Sequence, residues 1–173
     1  MSKVGVGRKP ASNAFEVEGD ASKTTAGSWA ANSDGRIKRD IRELDGSEAL
    51  ARMRAVRPVS FAYTPEYLAA HPVIDDRIYL NVVAQEFAEV FPGWVKSSGE
   101  TLPGKSADDA QNEILQVDAW PLTIYSAAAI KELDARNAGL ERENAALRER
   151  LERLEQVIGT LAPGALEQVG SEL

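Results

Sequence analysis

The strongest regularity in the chain lies near its C-terminus, where Leu133, Leu140, Leu147, Leu154 and Leu161 recur every seven residues. Three positions before each stand Ile130, Asn137, Asn144, Leu151 and Ile158. Together they make the d and a positions of about four heptads, which predicts a coiled-coil helix over residues 121–162. No proline interrupts the run, and Gly139 is its weak spot. The flanking charges give the orientation. In a parallel pair Arg136 at g faces Glu141 at the next e, Glu143 faces Arg148, and Arg150 faces Glu155. All three pairings are opposite in sign, so the pattern predicts parallel self-association. Asn137 and Asn144 at consecutive a positions cost stability and set the register. With Ile at a and Leu at d, the packing rule taken alone leans towards two strands.

Upstream the pattern is mixed. Val4, Val6, Phe15 and Val17 alternate with small or polar residues and predict short strands over a glycine-rich segment, residues 1–32. That segment has too few apolar residues to close a core. It reads as the end of a β-rich stem completed by other chains. Residues 33–41 are dense in charge. Asp45 then offers an N-cap with Glu48 three residues on, and Ala49, Leu50, Met53 and Val56 line one face of a helix that stops before Pro58. Val59, Phe61 and Tyr63 alternate as a half-buried strand ending at Pro65, and Ile78, Leu80, Val82 and Val83 predict another. Gln85 to Val90 reads as a short helix closed by Pro92-Gly93, and His71-Pro72 as a turn. Residues 96–112, rich in Ser, Gly, Asp and Gln, read as a surface loop. The expected class is α+β. A stem remnant (1–32) precedes a small mixed module (33–120), a coiled-coil helix (121–162) and a flexible tail (163–173).

Composition narrows the chemistry. Lys+Arg number 20 against Asp+Glu 27, a net charge of −7, which argues against a nucleic-acid partner. The basic cluster Arg36, Lys38, Arg39 and Arg42 therefore reads as a solvated or intersubunit face. No apolar run approaches the ~20 residues of a membrane helix, so no membrane partner is expected. Lys3, Arg8 and Lys9 lack an apolar stretch behind them and do not read as a signal peptide. With Cys 0 and His 1, thiolate and histidine metal sites are excluded; no metal and no cofactor are expected. Asp34, Asp40 and Glu43 are interleaved with arginines and read as ion-pair partners. What chemistry remains falls to Ser, Lys, Asp, Glu or Tyr. Ser33 and Lys38 stand five apart, and a lysine serves as base for a serine where desolvation or neighbouring cations such as Arg36 and Arg39 favour its neutral form. By spacing alone this pair is ordinary.

A set of motifs gives the pair weight. The run Ser33-Asp34-Gly35-Arg36-Ile37-Lys38-Arg39-Asp40-Ile41 resembles the opening motif of the C-terminal intramolecular chaperone domains of phage tail spikes and fibres. Related self-cleaving domains occur in the myelin regulatory factor. The stretch from Leu50 to Tyr63 is similar to the family's leucine-rich helix and following strand. Val83-Ala84-Gln85-Glu86-Phe87, with Phe91-Pro92 after it, resembles the "IAQE" segment. Ala129-Ile130-Lys131-Glu132-Leu133 opens the coiled coil as in the family, and the upstream VGVG and FEVEGDAS resemble the repeat that ends fibre stems. Ile37 stands where leucine is commoner, Asp118 where tyrosine is frequent, and Tyr79-Leu80-Asn81 where a glycine is common. None of these touches Ser33 or Lys38.

The resemblance implies a homotrimer, held by Ile130, Leu133, Asn137, Leu140, Asn144, Leu147, Leu151, Leu154 and Ile158, and overrides the two-strand leaning. It implies a chaperone for the upstream stem of the same polypeptide, and a single-turnover serine endopeptidase. The expected cut is Asn32–Ser33, with Ser33 as nucleophile and Lys38 as base. Attack within one chain and attack across the trimer both remain open. Asp34, Gly35, Arg36, Gln85 and Glu86 are candidate supports, Gly35 through backbone N–H groups near an oxyanion. The expected setting is the cytoplasm of the producing cell during assembly, then the tail of a phage or phage-like virion. A stem longer than residues 1–32 is expected in the parent fibre. The alternative is a trimerisation cap of a fibre protein that shares the fold and does not cut.

Overall fold

The computed structural model describes residues 2–24 and 30–161; the expected tail at 163–173 lies outside the described residues. The chain opens with β1 (Val4–Val6) and β2 (Phe15–Val17), paired in parallel, Val4 opposite Phe15 and Val6 opposite Val17. Next come α1 (Gly46–Ala55), β3 (Val59–Phe61), α2 (Pro65–Ala70), β4 (Tyr79–Asn81), α3 (Ala84–Val90), β5 (Val95–Thr101), β6 (Glu113–Val117) and α4 (Trp120–Leu161). β3 pairs antiparallel with β4 and β5 with β6, so the described residues hold three two-stranded sheets. The architecture is mixed α and β with a long C-terminal helix, as the class expectation had it.

α1 starts where the capping signal lies. The Asp45 carboxylate accepts from the Glu48 amide at 2.7 Å and from the Ser47 hydroxyl at 2.6 Å. Both bonds hold its pKa below the usual carboxylate value, the Ser47 bond most. The Glu48 side chain does not reach back to the cap. It pairs with Arg52 one turn on at 2.8 Å. The buried face of α1, Ala49 and Leu50, lies on Ala129 of α4, with Met53, Tyr125 and Ala128 packed around them. Gly46 lets the two helices approach, since a Cβ there would stand 2.9 Å from Glu132 Cβ. Phe87 and Phe91 of the α3 region continue this core, Phe91 meeting the Tyr125 ring edge-on at 5.0 Å. Arg52 caps the junction by donating to the Val90 carbonyl at 2.7 Å.

Three expectations need correction. The predicted loop 96–112 is strand as far as Thr101, because Val95, Lys96 and Ser97 pair with Val117, Gln116 and Leu115; only the stretch beyond it turns. Polar residues hide a strand from an alternation test when its faces are only half buried. The chain after Tyr63 makes a helix, α2, where no element was expected: Thr64 caps it, accepting from the Tyr67 amide, and Pro65 sits at its first turn. Finally, β4 is shorter than the predicted strand, because Val83 already serves as N-cap of α3.

Only the first turns of α4 are covered. At 42 residues it is ~63 Å long and runs well beyond the α1 contact. The side it turns to α1 carries Tyr125, Ala128, Ala129 and Glu132. At ~100° per residue, the a and d positions lie about a third of a turn round from that side. They are left bare in the single chain: Ile130, Leu140, Leu147, Leu151 and Leu154 are each at least half exposed. No helix among the described residues is long and apolar enough to cross a membrane.

Candidate active site

Ser33 and Lys38 are brought together by a single tight turn. Residues Gly35–Ile37 form one turn of 3-10 helix, closed by the Lys38 amide donating to the Gly35 carbonyl at 3.2 Å. Asp34 is its N-cap, extended at φ −64° and ψ 133°, and its carboxylate accepts from the Arg36 amide at 2.9 Å. Lys38 leaves the turn extended, at φ −109° and ψ 145°, and its side chain reaches Ser33. Lys38 Nζ donates to Ser33 Oγ at 2.6 Å. A proton can pass directly between hydroxyl and amine at that separation.

The neighbouring charges are already committed. The Arg36 guanidinium grips Asp34 in a fork, Nη2 at 2.6 Å and Nε at 3.1 Å. That bond, with the Arg36 amide, holds the Asp34 carboxyl below its ordinary pKa and raises Arg36 in turn. Asp34 is therefore a turn cap and Arg36 its brace, which leaves Lys38 as the cation on the serine. Arg39 lies 3.7 Å from Asp40, whose backbone is left-handed at φ 53°. Asn32, Ser33, Asp34, Gly35, Arg36 and Lys38 are all exposed. Among the described residues, no group of three acidic or histidine side chains is placed to hold a metal ion.

Gln85 and Glu86 stand apart from the pair in this chain. Glu86 is held by Arg57, with Nη2 at 2.5 Å and Nε at 2.9 Å, an ion pair that ties α3 to the link between α1 and β3. Gln85 is exposed on the first turn of α3, and neither residue hydrogen-bonds to Ser33 or Lys38.

Residues 33–96 match the family model of peptidase S74, described as chaperone of endosialidase. This segment is a chaperone-of-endosialidase domain. The match starts at Ser33, so the serine that meets Lys38 is the first residue of the chaperone domain. It runs through α1, α2 and α3 into the start of β5, and leaves β1, β2 and α4 outside. The family carries both a chaperone role and a peptidase name. The chain also holds a polar cluster that the sequence reading passed over. His71, at the end of α2, meets Glu18 and Glu100, and Arg8 joins both acids. Its members are up to 92 positions apart (Arg8 to Glu100), so no local pattern announces them.

Proposed function

We propose that this chain is an intramolecular chaperone that trimerises through α4, aligns the upstream stem, and then cuts itself between Asn32 and Ser33. The observation that carries the reading is the 2.6 Å contact between Lys38 Nζ and Ser33 Oγ at the first residue of the chaperone domain. In the reaction, neutral Lys38 takes the hydroxyl proton as Ser33 Oγ attacks the Asn32 carbonyl carbon. The C–N bond breaks, Lys38 returns the proton to the departing nitrogen, and an ester joins Asn32 to Ser33 Oγ. Water then hydrolyses the ester, leaving a carboxylate on Asn32, a free amine on Ser33 and the hydroxyl restored. Each chain reacts once.

Lysine needs a desolvated setting to act as a base, and in the single chain Lys38 stands in water. The bare a and d face of α4, together with exposed Ile37 and Ile41 beside the site, supports an assembly that covers both. Trimerisation would then switch cleavage on. The parent protein is proposed to be a tail fibre or spike of a phage-like virion. Intact-mass measurement tests the reading: fragments 1–32 and 33–173 are expected from the wild type and only the full chain from Ser33→Ala. A wild type that stays whole as a stable trimer would leave a trimerisation cap that does not cut.

A further inference from the structure

The stretch from Ser33 to Lys38 holds both members of the candidate dyad, and burial does little to keep its shape. Residues 30–45 are exposed throughout, and the Gly35–Ile37 turn has no buried residue. Its backbone is closed by the Ile37 amide donating to the Asp34 carbonyl and the Lys38 amide to the Gly35 carbonyl, each at 3.2 Å. Both bonds stand at the long end of the usual range. A single helical turn in water fixes several dihedrals for very few bonds, so by itself it is a poor competitor with the open chain. Gly35 adds no stiffness. A Cβ there would meet nothing within 4 Å, and glycine has the widest backbone freedom of any residue.

What the turn has is a clasp made by side chains. Asp34 Oδ1 accepts from the Arg36 amide at 2.9 Å, Arg36 Nε lies 3.1 Å from both carboxylate oxygens, and Nη2 donates to Oδ2 at 2.6 Å. One carboxylate therefore holds the backbone and the side chain of the same arginine, and locks residues 34 and 36 together across the glycine. Ser33 stands immediately before the clasp and Lys38 two residues after it. Their side chains meet at 2.6 Å. A lysine reaches its partner through a flexible four-carbon stem. Nζ stays on Oγ only where the two backbones are held at a fixed separation, and such fixing is a large part of what makes a reacting pair fast.

We propose that Asp34 and Arg36 are positioning residues for self-cleavage: their clasp across Gly35 holds Lys38 on Ser33, and the rate of cutting follows the integrity of the clasp. The proposal rests on the cleavage reading above. Neither residue takes part in the proton transfer or the attack; both act through the backbone that carries the dyad. The labour is divided accordingly, the clasp setting the pair within each chain and assembly covering it from water. A simple field of positive charge beside Lys38 would need only a cation at position 36. The clasp needs the planar fork of a guanidinium, which a lysine at that position does not reproduce. It needs an acceptor at position 34 as well, and a serine supplies the cap without the fork.

The test follows cleavage of the full chain by intact mass and fits a first-order rate, with sedimentation showing that each variant assembles as the wild type does. Asp34→Ala, which loses cap and fork together, should cut about tenfold more slowly. Arg36→Ala and Arg36→Lys should each cut about threefold more slowly, the smaller effect of an exposed fork. Asp34→Ser should recover to about the rate of Arg36→Ala, since it restores the cap alone. Arg36→Lys at the wild-type rate, or Asp34→Ser no faster than Asp34→Ala, overturns the clasp. A second readout needs no cut. The chain has Cys 0, so Ser33→Cys carries a single thiol. A lysine ammonium beside a thiol lowers its pKa, read here from the alkylation rate against pH and from its change in Ser33→Cys/Lys38→Ala. That Lys38-dependent shift should shrink by about half or more when Asp34→Ala or Arg36→Ala is added, as a double-mutant cycle reads it. A shift of the same size in all backgrounds overturns the proposal. A wild type that stays whole removes the cleavage reading, and the thiol still decides whether the clasp places Lys38, so the two failures are told apart.

Discussion

The double substitution of Leu140 and Leu147 by alanine separates a chain that works alone from one that works in threes. Each leucine is 55% exposed in the single chain. Full burial of a leucine is worth about 2.5 kcal/mol, so the exposed remainder offers about 1.4 kcal/mol per side chain on assembly. Two positions in three chains make about 8 kcal/mol per trimer. Alanine keeps its own methyl, but the cavity left behind adds a loss of similar size. At about 1.4 kcal/mol per decade this is roughly six decades in the trimer dissociation constant. That constant scales with the square of free-chain concentration, so the midpoint of dissociation should rise about a thousandfold. Sedimentation equilibrium of wild type and variant reads the shift, with Gln156→Ala, on the outer face of the same helix, as control. A wild type that is monomeric at micromolar concentration, or a midpoint that the double variant moves less than threefold, would show that these leucines are not buried in a trimer.

Further outcomes follow from the same geometry. Ser33→Ala and Lys38→Ala should each abolish cleavage without disturbing the trimer, and Lys38→Arg should be nearly as inactive because guanidinium does not deprotonate near neutral pH; cleavage continuing in Lys38→Ala would instead point to uncatalysed cyclisation of Asn32, read by intact mass over hours. Leu50→Ala, at a site only 6% exposed between α1 and α4, should cost about 2–5 kcal/mol in denaturant unfolding, whereas the bare Leu80 should cost little. Tyr67 is pushed up to about 12, by burial first and then by Glu100, so it should ionise last in an absorbance titration. A raised folded pKa on an acid favours the neutral form, so its contribution to stability is complete below about pH 10 and lost as pH climbs towards 12. Asp45 runs the other way: its folded pKa is lowered, so its cap is intact above the ordinary carboxylate range and fades as acid protonates it, which Asp45→Asn should remove from the acid limb of a melting curve.

Local rules carried much of this protein. A heptad needs only spacing, and an N-cap needs only the residue three positions on, so α4 and α1 were legible from Leu133 to Leu161 and from Asp45 to Glu48. The Ser33–Lys38 pair is ordinary by spacing alone and was singled out by the motifs around it. The contact itself depends on the Gly35–Ile37 turn and on Asp34 engaging Arg36, and the identities of those residues do not spell that out. The strand from Val95 to Thr101 was hidden because its polar residues answer to β6 across a loop, not to any periodicity of their own. The pairing of Glu86 with Arg57 was likewise set by packing of α3 against the link before β3. The cluster of Arg8, Glu16, Glu18, His71 and Glu100 lies furthest from local reading. Ion pairs are short-ranged in space and indifferent to sequence separation, so only the folded chain could bring a stem arginine, a turn histidine and a hairpin glutamate to one point.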